Sequence, residues 1–139
     1  MRPLSPRAKR VLVVDDDLDL VELVAMLLTQ GGHYVAVARD AVEAFAVALD
    51  FRPEVAVLDI GLPDTSGYEL AQRFRESKEL EGCRLIALTA SADESDRRKS
   101  EAAGFYAHLT KPFDDVALLA AIDGPSDGAS CAPATGWAK

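Results

Sequence analysis

Five short apolar runs alternate with five amphipathic stretches along this chain, and that alternation constrains its fold more than any other feature. Val11-Leu12-Val13-Val14 is unbroken and rich in β-branched residues, as a central strand buried on both faces must be. Leu20, Leu23, Val24, Leu27 and Leu28 then recur at helical spacing until Gly31-Gly32 ends the pattern. Tyr34-Val35-Ala36-Val37 predicts a second strand, and Ala41, Ala44, Phe45, Ala48 and Leu49 a second helix that Pro53 stops. The third pair is Val55-Ala56-Val57-Leu58 and a helix from about Ser66, where Ser66 and Glu69 have the spacing of a capping box. Leu85-Ile86-Ala87-Leu88 precedes a helix from near Ala92 to Gly104, and Phe105 to Leu109 precedes one from about Asp114 to Ile122. Strict alternation implies a parallel sheet with right-handed crossovers and helices on both faces, a doubly wound α/β fold. With 139 residues, 49% of them hydrophobic, the chain can fill one core and not two.

In such sheets ligands bind beyond the carboxyl ends of the strands, where the winding switches direction, so the residues just after each strand carry the chemistry. Here they are Asp15, Asp16 and Asp17 after strand one, Asp59 after strand three, Thr89 after strand four, and Thr110 and Lys111 after strand five. Several carboxylates in one crevice repel each other unless a divalent cation neutralises them. Oxygen-only ligands suit Mg²⁺, which keeps several waters and leaves room for a phosphoryl oxygen. A phosphoryl group there needs its spread charge countered on every side. Lys111 offers a point charge and Thr89 a hydroxyl donor, and Asp59, on the central strand, is the best-placed nucleophile. The formal charge of −8 argues against nucleic acid or an anionic membrane as partner.

At this point the chain resembles the receiver domain of two-component response regulators, over Arg10 to Ile122. The resemblance rests on Val13-Val14-Asp15-Asp16-Asp17, on Leu58-Asp59-Ile60-Gly61-Leu62-Pro63-Asp64-Thr65-Ser66-Gly67, on Leu88-Thr89-Ala90 and on Leu109-Thr110-Lys111-Pro112-Phe113. Four motifs in order, at separations similar to the family's, make it specific. It implies a flavodoxin-like three-layer sandwich with strand order 2-1-3-4-5. It also implies that Asp59 accepts a phosphoryl group from a phosphohistidine of a sensor kinase or histidine phosphotransfer protein, or from small phosphodonors, with no enzymatic activity beyond catalysing its own gain and loss of phosphate. Asp16, Asp59 and the backbone carbonyl of Gly61 become the implied Mg²⁺ ligands, with Asp15 acting through water. Thr89 and a side chain on strand five, here His108, become the switch residues, and the surface of helix four, strand five and helix five the face that exchanges downstream partners. Lys111-Pro112 resembles a peptide bond that is usually cis in the family. The wording around Gly104 to Leu109 and Leu58 to Pro63 is similar to receivers attached to hybrid sensor kinases.

Each residue has a plainer role to weigh. One acid suffices to cap the first helix, so Asp17 is read as the cap and Asp15 and Asp16 as metal-site residues. His33 reads as a turn residue and Arg97-Arg98-Lys99 as a solvated helix face. His108 stands where receivers usually carry Tyr or Phe, and its charge varies near neutral pH. Ala90 is small, which leaves a phosphoryl group on Asp59 accessible. Cys83 and Cys131 lack metal-site or disulfide spacing. A haloacid-dehalogenase-type phosphatase would also form an aspartyl-phosphate with Mg²⁺, but Asp15-Asp16-Asp17-Leu18-Asp19 lacks its threonine and no cap domain fits. An unphosphorylated receiver-like binding module would not need the full acidic set. Residues 1–9 read as an extension, 10–122 as the receiver domain and 123–139 as a disordered tail rich in Gly, Pro, Ser and Ala. No apolar run is long enough for a signal peptide or membrane span, so a soluble cytoplasmic protein is expected.

Overall fold

A computed structural model describes residues 8–62, 64–90, 94–111 and 114–123. Its elements run β1 (Arg10–Val14), α1 (Leu18–Gln30), β2 (Tyr34–Ala38), α2 (Ala41–Phe51), β3 (Val55–Asp59), α3 (Gly67–Glu76), β4 (Arg84–Thr89), α4 (Glu94–Ala102), β5 (Ala107–Thr110) and α5 (Asp115–Asp123). The five strands form one sheet in the order β2-β1-β3-β4-β5, and every pairing is parallel. The doubly wound fold and its strand order are as expected.

Because side chains alternate across a strand, the sheet builds two different cores. Val11, Val13, Val55, Val57, Ile86 and Leu88 point to one face, where Val21, Val24 and Leu28 of α1 and Leu118, Ala121 and Ile122 of α5 cover them. Leu12, Val14, Ala56, Leu58, Leu85 and Ala87 point to the other, covered by Ala41, Ala44 and Ala48 of α2 and Leu70, Ala71 and Phe74 of α3. The small alanines let α2 lie close to the sheet, and Phe74 fills the space beside them, its ring edge-on to Phe45 at 6.2 Å. Fully burying side chains of this size contributes about 1.5 to 3 kcal/mol each.

The helix ends follow from local chemistry. Asp17 accepts hydrogen bonds from the N–H groups of Asp19 and Leu20 and is the cap expected for α1. At the other end Gly32 takes φ 95°, and the N–H groups of Gly32 and His33 donate to the carbonyls of Thr29 and Leu28, so Gly31-Gly32 ends the helix as expected. Ser66 caps α3 by accepting from the N–H of Glu69, whose carboxylate accepts from the Thr65 hydroxyl. Pro53 ends α2 by way of Arg52, which turns into the left-handed region at φ 56°, ψ 62°.

Three boundaries differ from expectation. The fifth strand is Ala107–Thr110, not Phe105 to Leu109, because the Phe105 N–H returns to the Ser100 carbonyl and closes the turn after α4. Phe105 is apolar because it is buried in that turn. Asp114 is not the first residue of α5, but its carbonyl accepts the N–H of Leu118, and the helix extends to Asp123. α4 ends at Ala102, and its expected start near Ala92 lies outside the described residues, as do the Lys111-Pro112 bond, Cys131, residues 1–7 of the extension and 124–139 of the tail. No helix among the described residues is long and apolar enough to cross a membrane.

His33 does more than turn the chain. It is buried, and its Nδ1 accepts the backbone N–H of Lys9 at 3.1 Å, fastening the start of β1 to the end of α1. Accepting requires an unprotonated nitrogen, and burial holds the pKa of His33 below its usual 6.5, outweighing the acidic pull of Asp123. The unfolded chain therefore binds the proton more readily than the folded one, so this contact stabilises fully above pH 6.5 and is lost as pH falls below it. Urea titrations at pH 7.5 and 5.5 should show a larger stability loss for wild type than for His33→Gln, whose amide oxygen accepts without titrating. Equal losses would contradict this role.

Candidate functional site

The carboxyl ends of β1, β3, β4 and β5 converge at one end of the sheet. Asp15 follows β1, where its N–H donates to the Ala38 carbonyl at 3.1 Å, and its side chain is fully buried. Its Oδ1 accepts the N–H of Asp17 at 3.0 Å, so the capping residue of α1 also orients the neighbouring acid. Asp59 ends β3 at 6% exposure and lies opposite Leu88 in the β3–β4 register, which places Thr89 one residue beyond it on the adjacent strand. Thr89 is 8% exposed, and its carbonyl accepts the N–H of Lys111 at 2.7 Å, which fixes the backbone from which the lysine reaches inward.

Lys111 connects the carboxylates. Its Nζ lies 2.8 Å from Asp15 Oδ2 and 3.5 Å from Asp59 Oδ1. Carboxylate oxygens of Asp15, Asp16 and Asp59 all lie within 4.8 Å of one another, with Asp16 exposed at the mouth. The Gly61 N–H donates to Asp59 Oδ1 at 3.2 Å, so the loop that follows β3 folds back over its last residue.

The electrostatics match this crowding. Burial, reinforced by the charge of Asp15, raises the pKa of Asp59, while the Gly61 N–H and Lys111 pull it down less strongly. Burial disfavours the Lys111 ammonium, but its contacts with Asp15 and Asp59 outweigh that and raise its pKa. Two buried carboxylates share one cation, leaving an excess of negative charge with Asp16 beside it. That excess, and the all-oxygen donor set, fit a hard divalent cation such as Mg²⁺.

Of the residues singled out from sequence, Asp15, Asp16, Asp59, Gly61 and Lys111 are brought into direct contact or ligand-forming range, and Thr89 to the adjoining strand end. His108 lies deeper, at 6% exposure in β5, with Nδ1 3.3 Å from the hydroxyl of fully buried Ser100 of α4. Ala90 is exposed at the mouth. Of the basic run on α4, Arg98 and Lys99 are exposed and Arg97 is half-buried. Cys83 is buried with its thiol pushed up to about 12, which leaves it inert at neutral pH.

Two supporting residues were not foreseen. Asp64 accepts from the N–H groups of Ala41 and Val42 at 3.0 and 3.1 Å, so an acid in the loop after β3 supplements the cap residue Asp40 at the start of α2, and these bonds lower its pKa. Arg75 donates to the carbonyls of Glu81, Cys83 and Gly104, joining α3 to the turns before β4 and β5. The only sequence trace of either is an acid between Pro63 and Ser66 and a basic residue in the last turn of α3.

Comparison with known proteins identifies the family of this chain. Residues 11–123 match the family described as "Response regulator receiver domain". An uncharacterised 14.6 kDa protein of Leptolyngbya boryana is 40% identical over 78% of this chain and 83% of its own length. The phosphate regulon transcriptional regulatory protein PhoB of Pseudomonas aeruginosa is 33% identical over 82% of this chain, which spans about half of that regulator. Among solved structures, the chemotaxis response regulator CheY4 of Vibrio cholerae superposes with a TM-score of 0.76 at 28% identity, covering 81% of this chain and 93% of that one. With the family match over most of its length, the chain belongs to the response regulator receiver domain family.

Proposed function

We propose that this domain is the phosphorylation-dependent switch of a two-component phosphorelay, taking a phosphoryl group from a phosphohistidine onto Asp59. The observation that carries the proposal is the convergence of Asp15, Asp16 and Asp59 on one another with Lys111 held between two of them. A carboxylate oxygen of Asp59 attacks phosphorus as the bond to the donor imidazole breaks, and the imidazole leaves with its electron pair. Lys111 offers its ammonium to the equatorial oxygens, and Thr89 its hydroxyl. Asp16, Asp59 and the Gly61 carbonyl would hold Mg²⁺, with Asp15 acting through water. When bound, the ion supplies charge neutralisation for the carboxylates and the incoming oxygens.

Readout follows from what Thr89 and His108 touch. Drawing Thr89 toward the phosphoryl group shifts the end of β4, next to which β5 carries His108 against Ser100 of α4. The face of α4, β5 and α5 then changes its preference between the kinase or phosphotransfer protein and a downstream partner. Hydrolysis of the aspartyl-phosphate, which Asp59 and its neighbours also promote, resets the domain.

Incubation with a phosphohistidine-bearing donor or acetyl phosphate, with Mg²⁺ or with EDTA, tests this reading. With Mg²⁺ the chain should acquire a hydroxylamine-sensitive label, and removal of the ion should slow labelling by about 100-fold, as expected for loss of about 3 kcal/mol of charge stabilisation. Labelling at equal rates under both conditions would overturn the proposed chemistry.

A further inference from the structure

The pole opposite Asp59, at the amino ends of the strands, holds a cavity of about 540 Å³ whose chemistry is the reverse of the acidic crevice. Lys9, Arg10, Arg52 and Arg84 line it together with Glu54 and Glu79, in a chain whose formal charge is −8. Among the described residues none of these four cations forms an ion pair. Glu54 accepts the backbone N–H of Arg10, and Glu79 accepts the Ser77 hydroxyl.

Two of the arginines are held in a particular way. Arg10 Nε donates to the Arg52 carbonyl at 2.8 Å, and Arg52 Nε donates to the Leu49 carbonyl at 3.0 Å. Each guanidinium is thereby oriented through its inner nitrogen, with the charge of Arg52 also acting on Glu79, and its outer amino groups point to the arrangement that receives a phosphate in fork fashion. Arg84 is steadied by its stack on the Tyr106 ring at 4.4 Å.

Arg52 also stands where the backbone calls for something else. At φ 56° it is the one non-glycine residue at positive φ among the described residues, and it directly precedes Pro53. Glycine would occupy that conformation without steric cost, and the left-handed turn here ends α2.

We propose that this pole is a second ligand site, for a small phosphomonoester carrying hydroxyl groups. Arg10, Arg52 and Lys9 receive the phosphate, and Glu54 and Glu79 accept from hydroxyls. The cavity volume lies in the range of small-molecule sites and suits a ligand of mononucleotide size.

The test is a titration of the ¹⁵N-labelled protein with adenosine monophosphate, inorganic phosphate and adenosine in turn. Adenosine monophosphate should bind with a Kd of about 1 mM or below and shift the amides of Arg10, Arg52 and Arg84. Inorganic phosphate should bind about tenfold more weakly and adenosine not at all. Arg52→Gly relieves the backbone strain, so it should weaken nucleotide binding about tenfold without lowering Tm. Arg10→Gln should weaken binding similarly, and neither variant should alter labelling of Asp59. Shifts confined to the Asp59 end, unchanged affinity in both variants, or no binding of the nucleotide would each overturn the proposal. Equal affinity for inorganic phosphate would overturn the assignment to an organic phosphomonoester.

Discussion

Asp59→Asn is expected to abolish labelling by acetyl phosphate while making the metal-free protein more stable. The loss of labelling follows because an amide oxygen lacks the nucleophilicity of a carboxylate, and removal of a nucleophile costs at least about 100-fold in rate. The stability gain follows from burial. Asp59 has a raised pKa in the folded chain, so the native state binds its proton more tightly than the unfolded state does. Stability therefore falls as pH rises from the unfolded value near 3.8 through the folded one, and at neutral pH the ionised group is a net cost. Asparagine keeps the shape and removes that charge. Thermal melts without divalent ions should give Asp59→Asn the higher Tm, and Mg²⁺ should stabilise wild type far more than the variant. If the variant takes up label as fast as wild type, Asp59 is not the acceptor.

Gly67→Ala is expected to be among the most disruptive single-methyl changes in the chain. A Cβ at position 67 would stand 2.7 Å from the Asp59 carbonyl oxygen and 2.9 Å from Ile60 Cα, both backbone atoms that cannot rotate away. The contact is close because the Gly67 N–H donates to the Ile60 carbonyl at 2.8 Å, docking the start of α3 on the end of β3. Relieving the clash means moving either the helix or the strand end that carries Asp59. The cost should be about 1 to 3 kcal/mol, as for other overpacked sites, well above any gain from alanine's helix propensity in the first turn. Denaturant titration should show the loss, and labelling of Asp59 should slow in protein that is still folded. An unchanged midpoint would mean that α3 is not seated as described.

The fold was readable from sequence because each element buries a distinct pattern. Val11 to Val14 and Val55 to Leu58 read as strands because both their faces are covered, and Val24 and Leu28 read as a stripe because only one side of α1 is, although Leu23, counted in that stripe, is exposed and Val21 is buried in its place. The site was readable because its residues follow strands directly, where the doubly wound topology gathers them. Phe105 was misplaced because burial in a turn and burial in a strand look alike in one dimension. Asp64 and Arg75 escaped for another reason. Their partners are backbone groups: the N–H groups that Asp64 caps lie 23 and 22 residues away, and one carbonyl held by Arg75 lies 29 away. Backbone partners leave no complementary side chain to notice.

The two cores described above differ in what they allow to move. The side facing α1 and α5 is built from Val11, Val13, Val55, Val57 and Ile86, whose branching at Cβ confines each to few rotamers. The side facing α2 and α3 is built, apart from Val14, from leucines and alanines, which have more rotamers or occupy little space. A sheet lined this way is stiff on one side and compliant on the other. Displacement begun at Asp59 is therefore expected to be taken up first by α2 and α3, while α1 is held more firmly against the valines.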